Sequence, residues 1–193
     1  MSLPRVQIVG DSIAMAYAPL VAEALAEEAI VTPPTENAGD SAHLLANLDE
    51  WVLADPPDCL HLNCGLHDLR RLAPDDRFQQ PIDAYRQNLG VLFERVTAAL
   101  PGRVVWATTT PVIDARQNRQ GKFHRFNDDV EAYNGAARAV AEASGVPLLD
   151  LYEVVRAAGP EACISGDGVH MSDRGNSLLA LAVAARIREV LSS

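Results

Sequence analysis

A three-layer α/β/α sandwich built on a five-stranded parallel sheet is the fold class that this 193-residue sequence predicts. Three observations predict it. Short apolar runs alternate along the chain with longer segments that carry apolar residues at helical spacing. Parallel neighbours in a sheet need crossover connections, and alternating helices supply them. Polar segments follow directly after the first three apolar runs, at the carboxyl ends of the strands where such sheets gather ligands.

The elements follow in order. Val6-Gln7-Ile8-Val9 ends at Gly10 as a first strand, and Ile13 to about Glu28, dominated by alanine, leucine and glutamate, reads as a helix. Ala29–Thr32 is a short second strand that Pro33-Pro34 breaks. Ser41 caps a helix reaching about Leu53, and Pro56-Pro57 closes that segment. Cys59–Asn63 is the third strand. Pro81–Leu100 carries Ile82, Tyr85, Leu89, Leu92, Val96 and Leu100 on one helical face, before Pro101-Gly102 and a fourth strand at Arg103–Ala107. Asp114 to Arg125 is polar and aperiodic, which predicts a surface loop. Asp128–Ser144 is a helix stopped by Gly145, Val146–Leu149 is the fifth strand, and Asp173 caps a last helix over Arg174–Leu191.

The length suits one domain, spanning 1–193, and a globule of this size buries enough surface to need no staples. Lysine and arginine total 16 against 26 acids, a formal charge of −10, so the average field repels nucleic-acid phosphates and anionic membranes. Local groups such as Arg70-Arg71 remain able to guide an anion. Cys59, Cys64 and Cys163 form no C-x-x-C pair and read as free thiols, which suits a reducing compartment. The amino terminus runs straight into a strand pattern, without the apolar core of a signal peptide, and no stretch approaches a membrane span. A cytoplasmic location is the expectation, provided that no leader has been removed.

Ser12 falls between a strand and a helix, where its hydroxyl reaches the rim of the sheet and nearby backbone N–H groups face the reacting centre. A serine hydroxyl is a weak nucleophile and needs a base. Asp167-Gly168-Val169-His170 supplies one near the far end of the chain, at a spacing that lets the carboxylate orient the imidazole. Either motif alone is weak, because serine is a common helix cap and D-x-x-H a common turn. Their placement, one after the first strand and the other before the last helix, is what gives the pair weight.

Over essentially its whole length the sequence resembles the SGNH (or GDSL) hydrolases. The blocks that carry the resemblance are Val9-Gly10-Asp11-Ser12-Ile13, Asn37-Ala38-Gly39 and Asp167-Gly168-Val169-His170. The resemblance implies the flavodoxin-like sandwich of that family, with Ser12 as nucleophile, His170 as base and Asp167 as orienting acid. It also implies an oxyanion hole built from the amides of Ser12 and Gly39. The third block departs from the family's G-x-N-D: here it is Gly65-Leu66-His67-Asp68, with His67 in the asparagine's place. Imidazole still offers an N–H, so His67 is expected to replace the missing donor, and to do so in a pH-sensitive way. The alternative is a structural His67 and a hole of two amides.

Asp11 and Asp68 are expected to support backbone near the site. Phe123, His124 and Arg125 are candidates for lining the substrate pocket. His61 reads as a core histidine and His43 as a helix residue near the rim, while Asn134 has no readable contacts.

The implied function is hydrolysis of small-acyl esters, acetyl foremost, through an acyl-enzyme. An O-acetylated carbohydrate or another small neutral molecule is the expected substrate, because no long cap insertion is present and the average field is negative. Thioesterase or lysophospholipase chemistry, or a noncatalytic binding protein on the same fold, are the alternatives. No metal or organic cofactor is implied. Nucleotide-binding glycine motifs, H-E-x-x-H and paired-cysteine spacings are absent, and Gly10-Asp11-Ser12-Ile13-Ala14 does not match the G-x-S-x-G elbow of α/β-hydrolases.

Overall fold

The computed structural model describes residues 2–119, 121 and 123–192, so the loop expectation at Gln120 and Lys122 lies outside the described residues. Five parallel strands form the central sheet: β1 (Arg5–Val9), β2 (Ile30–Thr32), β3 (Cys59–Leu62), β6 (Val104–Ala107) and β8 (Leu148–Leu149). Their spatial order is β2-β1-β3-β6-β8. From β1 the chain steps outward to β2, then crosses back to β3 on the other side of β1. The direction of winding reverses there, and a crevice opens between the carboxyl ends of β1 and β3.

Register follows burial. Val6 to Val9 pair with Cys59 to Leu62, and Leu60 to Leu62 pair with Val104 to Trp106. Both central strands β3 and β6 are buried along their whole length, as expected for strands covered on two faces. One helical layer contains α1 (Ser12–Ala24), α6 (Leu151–Ala158), α7 (Pro160–Cys163) and α8 (Asp173–Leu191). The other contains α2 (Ser41–Leu48), α3 (Ile82–Ala99) and α5 (Asn127–Ala143). Trp106 of β6 meets Phe93 of α3 edge-on at 5.2 Å, which locks sheet to helix in the second layer.

His61 is fully buried, and its Nε2 lies 2.8 Å from the Tyr17 hydroxyl of α1. Burial pushes its pKa down to about 4, so it is a neutral core residue. His43 sits on α2 with its ring edge-on to Trp51. Asn134 is buried on α5, where its amide bonds both the N–H and the carbonyl of Thr109 at 2.9 Å. It thus clasps the chain just past β6. All three cysteines are buried and free.

Several boundaries differ from the sequence reading, each for a local reason. The first helix stops at Ala24 rather than near Glu28: Leu25 leaves the helical conformation at φ −109, and the Arg188 guanidinium takes the Ala24 carbonyl at 2.9 Å and pairs with Glu28. Asp40, not Ser41, caps α2 through the His43 amide, since the Ser41 N–H and hydroxyl are both committed to Asp68. After Leu48 that helix widens into a π-helical turn, Asp49–Leu53. Ser172, not Asp173, caps α8.

The predicted surface loop from Asp114 to Arg125 holds the short helix α4 (Asp114–Gln117) and the strand β7 (Phe123–His124). That strand joins β4 (Arg71–Leu72) and β5 (Arg77–Phe78) in a small antiparallel sheet with the order β5-β4-β7. Two backbone bonds from the Asn118 side chain to Arg125 brace the segment. Among the described residues, no helix is long and apolar enough to cross a membrane.

Candidate active site

The site begins where β1 turns into α1. A Cβ on Gly10 would lie 2.5 Å from that of Ala14, so only glycine lets the strand bend this tightly into the helix. Asp11 takes the extended cap conformation, and its Oδ1 accepts the Ile13 amide at 2.9 Å. Burial raises the Asp11 pKa, against the pull of that amide and of Arg125. Ser12 is thereby the first helical residue, and its N–H belongs to the first turn, which has no acceptor within the helix.

The opposite wall is the turn before α8. Gly168 has φ +82, and a Cβ there would fall 2.6 Å from the Gln117 nitrogen and 2.7 Å from the Ile113 carbonyl. The α4 segment packs flat on this glycine, and the Ile113 N–H donates to its carbonyl at 2.8 Å. The close approach holds the turn so that Asp167 and His170 project toward Ser12.

His170 Nε2 lies 3.0 Å from Ser12 Oγ, and His170 Nδ1 lies 2.6 Å from Asp167 Oδ2. The carboxylate can only accept, so the ring proton resides on Nδ1 and the Nε2 lone pair faces the serine hydroxyl. Asp167 also accepts the Ser165 hydroxyl and the amides of Val169 and His170, at 2.8 to 3.0 Å. Burial by itself would raise this carboxyl, but the His170 ring and the other donors outweigh it and hold the pKa well below the usual range. The Ser12 hydroxyl, the His170 ring and the Asp167 carboxylate therefore stand in one hydrogen-bonded line, although Ser12 and His170 lie 158 residues apart in sequence.

The third block lies beside them. His67 Nε2 accepts from the Arg70 guanidinium at 3.1 Å. Arginine only donates, which leaves the neutral ring's proton on Nδ1. Burial, then the nearby Arg70 and Arg125 charges, push the His67 pKa down to about 4. The pH sensitivity expected of this residue is thus displaced below the neutral range, where the ring stays uncharged. Asp68 does not reach the cleft. Its buried carboxylate accepts the Ser41 amide and hydroxyl and so ties the third block to the start of α2, while burial pushes its pKa up to about 7.

Gly39 adopts φ +63, and its amide donates to Asn37 Oδ1 at 2.9 Å. That donor, expected to face the oxyanion, is held by a side chain of its own block.

The cleft encloses about 170 Å³. Asp11, Ser12, His67, Asp167 and His170 line it, together with Phe123 and Arg125 from the segment around β7. His124 does not; its Nδ1 lies 3.4 Å from Asp76. Sequence reasoning missed Leu66, Gln117 and Val169 as lining residues, and it named Arg70 only as part of a surface group. The spacing of Arg70, three residues after His67, was the one available signal. Gln117 arrives through the packing of α4, for which the sequence held no sign. Among the described residues, no cluster of three or more His, Cys, Asp or Glu side chains is arranged to hold a metal ion.

The chain and its fold have known relatives. The profile of the GDSL-like lipase/acylhydrolase family matches residues 8–178. A human isoamyl acetate-hydrolyzing esterase 1 homolog is 26% identical over 132 residues, 65% of this chain and 53% of that protein, so the chain spans about half the length of this curated relative. A lipase/acylhydrolase from Enterococcus faecalis superposes with a TM-score of 0.82 at 21% identity, covering 97% of this chain and 96% of that one. An acetylxylan esterase from Geobacillus stearothermophilus superposes with a TM-score of 0.77 at 20% identity, covering 95% and 94%. At these identities the structural likenesses speak for the fold.

Proposed function

The chain belongs to the GDSL-like lipase/acylhydrolase family, and from that premise we propose that it hydrolyses small-acyl carboxylic esters, acetyl esters foremost, through an acyl-enzyme on Ser12. The observation that carries the reading is the line from Ser12 Oγ through the His170 ring to Asp167.

In the first half-reaction Ser12 Oγ attacks the ester carbonyl carbon as its proton passes to His170 Nε2. The tetrahedral intermediate collapses, the C–O bond to the alcohol breaks, and His170 returns the proton to the departing oxygen. A water molecule then attacks the acyl-serine, giving its proton to His170. Collapse of the second intermediate releases the carboxylic acid and restores the Ser12 hydroxyl. Asp167, ionised throughout, fixes the ring tautomer and offsets the imidazolium charge.

The oxyanion is stabilised by the Ser12 N–H and by the His67 ring N–H. Because Asn37 engages the Gly39 amide, this donor joins only as its N–H exchanges the Asn37 oxygen for the oxyanion. The small cleft favours a short acyl group. The acetylxylan esterases among the structural relatives and the isoamyl acetate-hydrolyzing homolog support an acetyl preference.

Hydrolysis of p-nitrophenyl acetate, butyrate and octanoate by the parent and Ser12→Ala tests the proposal. Turnover is expected to be highest with acetate and to fall by about 10³-fold or more in the variant. A preference for octanoate would favour a lipolytic or thioesterase role. Turnover that survives Ser12→Ala would rule out this nucleophile.

A further inference from the structure

Two arginines share the cleft with the catalytic residues. Arg70 and Arg125 both line it, and both place their guanidinium carbons over the Phe123 ring, at 4.6 and 4.8 Å from its centre. Arg125 is only 4% exposed. Its Nε donates to the Leu66 carbonyl at 2.6 Å, and one terminal nitrogen contacts Gln117 Oε1 at 3.3 Å. Arg70 donates to His67, while its Nε is buried without a hydrogen-bond partner among the described residues. Neither guanidinium has a carboxylate within salt-bridge distance among those residues, whereas every other arginine described is either ion-paired or exposed.

This pair is costly to maintain. Cations removed from water without a counter-charge lose hydration that neutral partners only partly replace. Burial and mutual repulsion lower the Arg125 pKa to about 10, and burial lowers that of Arg70. Two acids line the same cleft. Asp167 is committed to His170, and Asp11 directs one oxygen at the Ile13 amide. Asp11 attracts both arginines at long range, Asp40 attracts Arg70 and Asp167 attracts Arg125, but none of these carboxylates makes a direct contact with either guanidinium. The cleft thus holds two under-compensated cations inside a chain of net charge −10. A local site of this kind outweighs the average field at the short range where a bound group sits.

We infer that the substrate is an ester carrying a carboxylate a few bonds from the scissile carbonyl, and that Arg70 and Arg125 receive that carboxylate. The inference rests on the ester-hydrolase reading of Ser12 and narrows its substrate class to anionic esters, in place of the neutral substrate expected from the sequence. Guanidinium and carboxylate are matched in shape and charge. Phe123 holds both guanidiniums in place, so little side-chain freedom is lost on binding.

Two matched pairs of esters test the inference and locate the carboxylate. 4-Acetoxybenzoate against its methyl ester places the charge on the alcohol half, and mono-4-nitrophenyl succinate against 4-nitrophenyl butyrate places it on the acyl half. After the spontaneous hydrolysis of each compound is subtracted, kcat/KM is expected to favour the anionic member of at least one pair by about tenfold or more, the scale of one charge-assisted hydrogen bond. Arg70→Gln should cut that ratio by a similar factor. Because Arg70 also contacts His67, the ratio is the readout rather than either rate.

Calorimetric binding of the same four compounds to Ser12→Ala gives a measure independent of turnover, and it stands even if Arg70→Gln does not fold. Equal treatment of both members in both pairs, by rate and by binding, would overturn the inference and leave the arginines as braces for Leu66 and His67. A preference unaltered by Arg70→Gln would overturn the role of Arg70. Absence of turnover with all four esters would contradict the esterase reading instead, while carboxylate-selective binding to Ser12→Ala would still support the anion site.

Discussion

A neutral imidazole and a carboxamide each offer an N–H at similar reach, and that equivalence governs what should follow from changing His67. The Arg70 guanidinium occupies Nε2, so the proton available to an oxyanion is the one on Nδ1. His67→Asn should retain most of the ester kcat/KM, because an amide N–H fills the same role. His67→Ala should lose on the order of 10²-fold, mostly in kcat, the usual scale for one oxyanion donor. Since the His67 pKa lies at about 4 and falls below that of an ordinary histidine, the ring is neutral above pH 5. Parent and His67→Asn should therefore share the same acid limb when kcat/KM is followed from pH 5 to 9. Full activity in His67→Ala would remove the donor role, and a shifted limb in His67→Asn would contradict a neutral ring.

At this scale the meeting of Ser12, Asp167 and His170 was legible, because they sit in motifs whose spacing has a chemical reason. The engagement of Gly39 by Asn37 went unread, although an asparagine that accepts the N–H two residues on is a common local turn.

Among the elements, the turn between β1 and α1 and the turn before α8 do the positioning, and glycine makes both possible. Gly168 is the more constrained, with its positive φ and with backbone atoms of α4 inside 3 Å of where a Cβ would stand. Gly168→Ala should lower the unfolding free energy by about 2 kcal/mol and reduce ester kcat/KM by about tenfold or more, through displacement of Asp167 and His170. Gly166, two residues earlier, has open space around it, and Gly166→Ala should stay within about 0.5 kcal/mol of the parent. Urea unfolding and steady-state kinetics on both variants check this, and equal behaviour of the two would show that the α4 contact does not hold the turn.

The long helices and the buried strands were readable, because an apolar face recurs over several turns or a run is apolar throughout. The two-residue strands β4, β5 and β7 are too short to show any period. The α2 cap was misassigned by one residue because Asp68 claims the Ser41 hydroxyl, and the α8 cap because Ser172, next to Asp173, accepts the Gly175 amide. The segment from Asp114 to Arg125 looked irregular because its order comes from the Asn118 side chain clasping Arg125 and from pairing with β4, neither of which leaves a period in the sequence.

For the whole molecule, the sheet order explains why residues from the two ends of the chain meet. The crevice between β1 and β3 receives Ser12 directly and the third block from the other side, while α8 lies against α1 and brings the preceding turn over the same rim. The fold class and strand count follow from the alternation of elements. The small sheet that carries Phe123 and Arg125 to the cleft does not, so the pairing of Arg70 and Arg125 over Phe123 emerges only in three dimensions. The missing cap insertion and the negative average field suggested a small neutral substrate, whereas the proposal built on Arg70 and Arg125 is an anionic one.

The central claim is that folding creates a nucleophile at Ser12. The most direct measurement is labelling by a fluorophosphonate probe, with the modified residue identified by mass spectrometry of peptides. The folded parent should be labelled at Ser12, and the label should be lost in urea and strongly reduced in His170→Ala, because reactivity requires the base that the fold delivers. No label on folded Ser12, or equal labelling of the folded and urea-unfolded chains, would contradict the account.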